Sequence, residues 1–240
     1  MTDDSGIIFG TDIFSHEVVR LAMTDIPHLL VVGNPGAGKS LFLHQLASQL
    51  VRRRDVERVL LVDLKGGLEF RRYQNTGIAR VVWRFEDVVA VTAELVEDME
   101  RRIEELARIG ARDAERRVFL IIDEFAQIQL WPVVTKEEST AHKRLLANLI
   151  KLVILGRAPG VRVIAALQKP TADLMDSTFR AMLQGQVCFR VGSKLLAASM
   201  FGTTEELALD PTRLRRGQYI FEEPAAGQIR YLQAHVAPGL

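Results

Sequence analysis

Short runs of Val, Ile and Leu punctuate the chain at residues 28–32, 59–62, 79–82, 118–122, 161–167 and 187–191. Continuous apolar runs of this length, without alternation, fit strands of a sheet covered on both faces. Between them the period changes. Over residues 86–109 the apolar positions Val88, Val91, Leu95, Met99, Ile103 and Leu106 recur every three or four residues, with Glu and Arg on the other face, which predicts an amphipathic helix. Similar stretches predict helices over about 39–53 and 139–155. Strands alternating with helices imply right-handed crossovers onto a mainly parallel sheet flanked by helices, an α/β fold. The C-terminal part reads differently. Residues 219–221 and 229–234 are separated by EEPAAGQ, whose Pro and Gly signal a turn, so an antiparallel hairpin is expected to close the sheet edge.

Composition narrows the class without altering that picture. At 240 residues, 48% hydrophobic and 25% charged, the chain has the balance of a globular protein that buries about 70–75% of its unfolded surface. No repeat, low-complexity run or Pro/Ser-rich linker marks a boundary, so residues 1–240 are read as a single domain. One cysteine, Cys188, supports neither an internal disulfide nor a zinc cluster, which fits a reducing cytoplasmic location. The acidic start MTDDSGIIFG lacks the features of a signal peptide, and no apolar stretch approaches the roughly 18–20 residues of a transmembrane segment. With 31 Lys plus Arg against 30 Asp plus Glu, a net charge of +1, any DNA contact must be local.

The chemistry concentrates where strands end. After HLLVV comes GNPGAGKS, comprising Gly33, Asn34, Pro35, Gly36, Ala37, Gly38, Lys39 and Ser40, and a helical run opens at Leu41. This is the G-x-x-x-x-G-K-S phosphate loop in its strand–loop–helix setting. The glycines let backbone N–H groups curl toward phosphate oxygens, the helix N-terminus adds partial positive charge, and Lys39 reaches the β- and γ-phosphates. Ser40 completes the shell of a bridging Mg²⁺. ATP and Mg²⁺ are therefore the expected ligands. VFLIIDEF, residues 118–125, is a buried strand ending in two carboxylates: Asp123 is placed to hold Mg²⁺ through water and Glu124 to act as general base on an attacking water. VRVIAALQKP, residues 161–170, ends in Gln168, which is read as bonding the γ-phosphate or the water. Asp63, closing VLLVD before an LKGG loop, is read only as a pin for that loop. The N-K-x-D signature of GTPases and the LSGGQ-like signature of transporter cassettes are absent, and a metabolite kinase rarely needs an Asp-Glu pair.

With these residues in view, the chain resembles the motor domain of the FtsK/SpoIIIE branch of the FtsK-HerA family, RecA-like P-loop ATPases. GTDIFSHEVVRLAMTDIPHLLVVGNPGAGKS is similar to the family's approach to the phosphate loop, where a short hairpin precedes P-H-L-L. DLKGGLEFRRY resembles its aspartate-x-lysine loop, MERRIEELARIGAR the helix before the acidic strand, and IIDEFAQI that strand. GRAPGVRVIAALQKP is most similar to a segment of actinobacterial plasmid-transfer members. The resemblance covers nearly the whole chain. It implies an ATP-driven homo-hexamer that pumps double-stranded DNA, with Lys39, Ser40, Asp123, Glu124 and Gln168 carrying family roles. Competing readings are a viral genome-packaging ATPase, a type VII-like secretion ATPase, and a nucleotide-binding assembly module without motor activity.

Chromosomal members carry a membrane-spanning region and a winged-helix module. Neither is present, so an excised or stand-alone motor is expected, with a separate membrane-anchored or portal partner. The resemblance also implies an arginine donated in trans to a neighbour's ATP. In QGQVCFRVGSK, residues 184–194, Gln186 stands where the family's arginine is expected. Arg190 is the favoured donor, with Arg157 the alternative or else packed beside its own phosphate loop. Basic runs at 52–54, 71–72, 101–102 and 213–216 are candidates for DNA phosphates but read more readily as salt-bridged helix faces. Trp131 either touches DNA or a neighbouring subunit, or packs internally.

Overall fold

The computed structural model describes residues 6–171, 173–202, 205–224 and 227–236. Its strands are β1 (Ile7–Asp12), β2 (Val18–Leu21), β3 (Leu29–Val32), β4 (Val56–Val62), β5 (Ala79–Val82), β6 (Arg117–Ile122), β7 (Val161–Leu167), β8 (Gly185–Phe189), β9 (Gln218–Glu223) and β10 (Gln228–Gln233). They form one sheet in the order β2-β1-β10-β9-β8-β3-β7-β6-β4-β5. From β8 to β5 the pairings are parallel, and from β8 back to β2 they are antiparallel. The helices are α1 (Lys39–Leu50), α2 (Phe85–Ile109), α3 (Phe125–Gln129), α4 (Lys136–Leu155), α5 (Ser177–Met182) and α6 (Lys194–Phe201). No helix among the described residues is long and apolar enough to cross a membrane.

The parallel strands are buried on both sides, as their unbroken apolar runs require. Leu30 and Val32 of β3 face the core under α2 and α4, while Leu29 and Val31 face the core under α1. Charged residues hide the start of β4, which begins at Val56 rather than residue 59. Glu57 accepts from Arg102 and Asp98 accepts from Arg58, so these strand charges are spent on α2. Burial alone would raise the Asp98 carboxyl, but the guanidiniums of Arg101, Arg102 and Arg58 outweigh it and hold it low. The strand expected at 187–191 is shifted to Gly185–Phe189, because Gly185 and Gln186 pair with Leu29 and Leu30 despite being non-apolar. Helix α4 starts three residues earlier than its periodicity indicates, at a capping box between Thr135 and Glu138.

The C-terminal hairpin exists but does not close the sheet edge. β9 pairs with β8, and β10 pairs with β1, so the N-terminal β1–β2 hairpin takes the edge instead. Ala225 and Ala226 of its turn lie outside the described residues. An aromatic cluster of Phe9, Phe42, Phe189, Tyr219 and Phe221 locks this antiparallel extension onto α1, with ring centroids 4.9–6.0 Å apart. Phe42 is fully buried at its centre. Phe42→Ala is expected to destabilise the fold by about 3–5 kcal/mol, the usual cost of emptying a buried phenyl site. Denaturant unfolding checks this, and a loss below about 1 kcal/mol would show that the extension packs loosely.

Candidate nucleotide site

The phosphate loop leaves the C-terminal end of β3 and enters α1 directly. Gly36 adopts φ 72° with open space where a Cβ would stand, and Gly38 has φ 120°. A Cβ at Gly38 would lie 2.8 Å from the Gly217 backbone, so glycine is required there by conformation and by space. The loop is tied from both sides. The Asn34 N–H donates to the Arg190 carbonyl at 2.8 Å, and the Gly217 N–H donates to the Ala37 carbonyl at 2.8 Å. The first turn of α1 has no side-chain cap and no acidic residue, leaving its N–H groups and dipole free for an anion. Lys39 Nζ folds back onto the Gly33 carbonyl at 2.6 Å and the Asn34 carbonyl at 3.4 Å. Burial lowers its pKa, against the pull of Glu124 and Asp123.

Two strands away, β6 ends at Ile122, Asp123 and Glu124 follow, and α3 begins at once with Phe125, whose ring stacks on Phe179 at 4.7 Å. That packing fixes where the strand stops and the carboxylates start. Asp123 is 7% exposed. Burial raises its pKa, Lys65 pulls it down, and the nearby carboxylates of Glu69, Asp63 and Glu124 push it up again. Lys65 Nζ lies 3.6 Å from Asp123 Oδ2. Between β3 and β6 runs β7, and at its end the Gln168 Nε2 donates to Glu124 Oε2 at 3.1 Å. Glu124 Oε1 is buried and has no partner among the described residues. One oxygen of the Glu124 carboxylate is thus anchored by Gln168, and the other is buried without a hydrogen-bond partner. An orphaned carboxylate oxygen, a neighbouring buried carboxylate and an uncapped, glycine-rich helix start together fit a nucleotide phosphate with its divalent cation.

Most sequence-nominated residues converge here: Gly33 through Ser40, Asp123, Glu124 and Gln168. Leu41 packs its side chain against the core under α1, so only its backbone can serve the loop. Asp63 pins its loop, accepting from the Lys65 N–H at 2.9 Å and the Glu69 N–H at 3.0 Å. Lys65 is the residue that sequence reasoning missed. Its only signal was a lysine two places after a strand-ending aspartate, and the turn that swings it onto Asp123 is a tertiary feature. His44 of α1 joins the same loop through Glu69 Oε1 at 3.0 Å and the Tyr73 hydroxyl at 3.1 Å.

The two nominated arginines stand at opposite ends of the sheet. Arg190, the favoured trans donor, has its backbone bonded to its own phosphate loop. Arg157 does not pack beside that loop. It precedes β7, at the opposite end from Gln168, about 20 Å away along seven residues of strand. Arg53 is paired with Asp55, and Arg101 and Arg102 with Asp98 and Glu57, as the salt-bridged reading of these runs expects. Trp131 stacks on Phe85 with rings 4.8 Å apart and 7° from parallel, so it packs internally.

This geometry agrees with what the chain is similar to. Residues 3–118 match the FtsK/SpoIIIE family, a span that holds the phosphate loop and Asp63 and stops before Asp123. Over that span, a little under half of its length, the chain is similar to the FtsK/SpoIIIE family. It is 26% identical over 249 residues to DNA translocase FtsK of Campylobacter jejuni, covering 96% of this chain and 25% of that protein. Among solved structures, this chain resembles the pCW3 conjugation coupling protein TcpA in a monomer form with ATPγS. The TM-score is 0.84 at 22% identity, covering 98% of this chain and 67% of that one. The cytoplasmic domain of the type VII secretion ATPase EccC of Thermomonospora curvata aligns with a TM-score of 0.71 at 20% identity, covering 100% of this chain and 29% of that one. The chain spans about a quarter of the length of the curated relatives it matches.

Proposed function

We propose that this domain is an ATP-hydrolysing ring motor, a homo-hexamer that translocates double-stranded DNA in the cytoplasm, with residues 1–240 acting as one unit. The observation that carries the reading is the convergence, at the ends of the adjacent strands β3, β7 and β6, of the phosphate loop, Gln168 and the Asp123–Glu124 pair. Lys39 and the first-turn N–H groups of α1 hold the β- and γ-phosphates of ATP. Ser40 and Asp123 are the residues that would hold Mg²⁺, which when bound neutralises phosphate charge. Glu124 Oε1 takes a proton from water as the water oxygen bonds to the γ-phosphorus and the bond to the bridging oxygen breaks. Gln168, bonded to the same carboxylate, senses that event and passes it along the segment after β7.

The DNA substrate is supported by relatives that are DNA translocases and by the likeness to a conjugation coupling protein. The likeness to a type VII secretion ATPase makes protein export the rival. ATPase assays with and without double-stranded DNA separate them: several-fold stimulation is expected, and indifference to DNA would favour export or a static module. In the same series, Lys39→Ala is expected to weaken ATP by at least about 10²-fold, because charge-assisted contacts worth roughly 1.5–3 kcal/mol each are lost. Unchanged affinity in calorimetry would remove Lys39 from the site.

A further inference from the structure

At the end of the sheet opposite the phosphate loop, the loops before β6 and β7 and the loop before β3 enclose a cavity of about 240 Å³. Arg117, Arg157 and Arg162 line it, together with Asp25, Asp113 and Gly160. Arg162 is 3% exposed and Arg117 8% exposed, deep burial for guanidiniums. Arg162 spends its donors on backbone carbonyls, from Nε to Ile26 at 2.6 Å and from Nη1 to Arg157 at 2.8 Å and Val161 at 3.0 Å. Arg117 Nη1 donates to the Glu115 carbonyl at 3.0 Å, and its buried Nε donates to nothing. Among the described residues none of the three forms an ion pair with a carboxylate. Burial and the charges of Arg117 and Arg157 depress the Arg162 pKa to about 10, with Asp113 offsetting only part. Burial and the same field from Arg162 and Arg157 hold His28 neutral, with a pKa of about 3.

A buried cation is ordinarily paired, because leaving it uncompensated is costly. Here three guanidiniums outnumber the two lining carboxylates, and one fork nitrogen is left open. Guanidinium forks match tetrahedral oxyanions by parallel N–H···O bonds. The cavity is smaller than the roughly 300–1,000 Å³ of sites that enclose a whole small molecule, so it admits one charged group and not a nucleoside. The carboxylates of Asp25 and Asp113 set it against a continuous polyanion. We propose that Arg117, Arg157 and Arg162 form a second anion site, for a single phosphate-type oxyanion, at the end of the sheet remote from the phosphate loop. Arg162 also acts as a positioning residue, since its bond to the Arg157 carbonyl shapes the turn that presents Arg157.

The inference does not depend on motor activity and is tested on the Lys39→Ala chain, whose own phosphate loop is crippled. Thermal unfolding is followed in inorganic phosphate against chloride at equal ionic strength. At several times the dissociation constant, phosphate is expected to raise Tm by about 2–4 °C. The rise should vanish in Lys39→Ala/Arg157→Ala, where only an exposed side chain is removed. It should shrink in Lys39→Ala/Arg117→Lys, which keeps the charge but loses the fork. The same rise in all three chains, or no rise in the first, overturns the site. ATP in place of phosphate identifies the source. An Arg157-dependent rise with ATP means that a nucleotide's terminal phosphate enters the site, and a rise with inorganic phosphate alone means that the free ion does; both uphold it. Failure here leaves the ATPase reading intact, and loss of the ATPase reading leaves this site to stand on its own titration.

Discussion

Arg157→Ala is expected to cut ATP turnover by assembled rings about 10³–10⁵-fold, the worth of an arginine donated to the charge developing on a transferred phosphoryl group. ATP binding at the isolated chain's own phosphate loop should be unchanged. The expectation follows from placement: a donor in trans has to lie away from its own phosphate loop, and Arg157 sits at the far end of β7, exposed, on a turn fixed by Arg162. Arg190 fails that condition, because its carbonyl receives the Asn34 N–H of its own loop. Mixed rings decide the matter. Lys39→Ala subunits with an intact Arg157 should restore turnover to Arg157→Ala subunits, whose own phosphate loops work. The same mixing should restore nothing to Arg190→Ala subunits. Rescue of Arg190→Ala and none of Arg157→Ala would reverse the assignment.

Glu124→Gln is expected to lower kcat about 10²–10⁴-fold, the usual contribution of a positioned general base, while ATP affinity stays within about twofold. The substitution is nearly isosteric, so the carbonyl oxygen of the new amide can still accept from Gln168 Nε2, as Oε2 does now at 3.1 Å. The amide nitrogen then occupies the place of Oε1, the buried oxygen without a partner. It cannot take a proton from water. Single-turnover hydrolysis and nucleotide binding, measured on the same preparation, separate the two effects. Near-normal hydrolysis would move the base to another group, and a parallel loss of binding would show that Glu124 shapes the site rather than reacting in it.

Much of this architecture was legible along the chain because the signals are local. An unbroken apolar run such as 161–167 has to be buried on both faces, and the three-and-four spacing from Val88 to Leu106 has to be a one-faced helix. The phosphate loop is likewise contained in eight consecutive residues, Gly33 to Ser40, and the two carboxylates of the DEF segment follow the strand in succession. Where strands carry charges or glycine, the pattern blurred, as at Glu57 and Arg58 in β4 and Gly185 and Gln186 in β8. Those residues are satisfied by partners far along the chain, which no window of neighbouring residues reveals.

Strand order, and everything that depends on it, was decided only by tertiary structure. The chain shows a C-terminal hairpin, but hydrogen-bond complementarity with β1 is what buries that hairpin inside the sheet and leaves β2 at the edge. The sequence nominated both Arg190 and Arg157, with Arg190 favoured. The parallel direction of β7 and β8 then set one arginine before its strand and the other after it, at opposite ends of the sheet. Lys65 meets Asp123, and Arg117 meets Arg162, for the same reason: separations of 58 and 45 positions are bridged by adjacent strand ends, where burial makes an unpaired charge costly and so gives each meeting its chemical meaning.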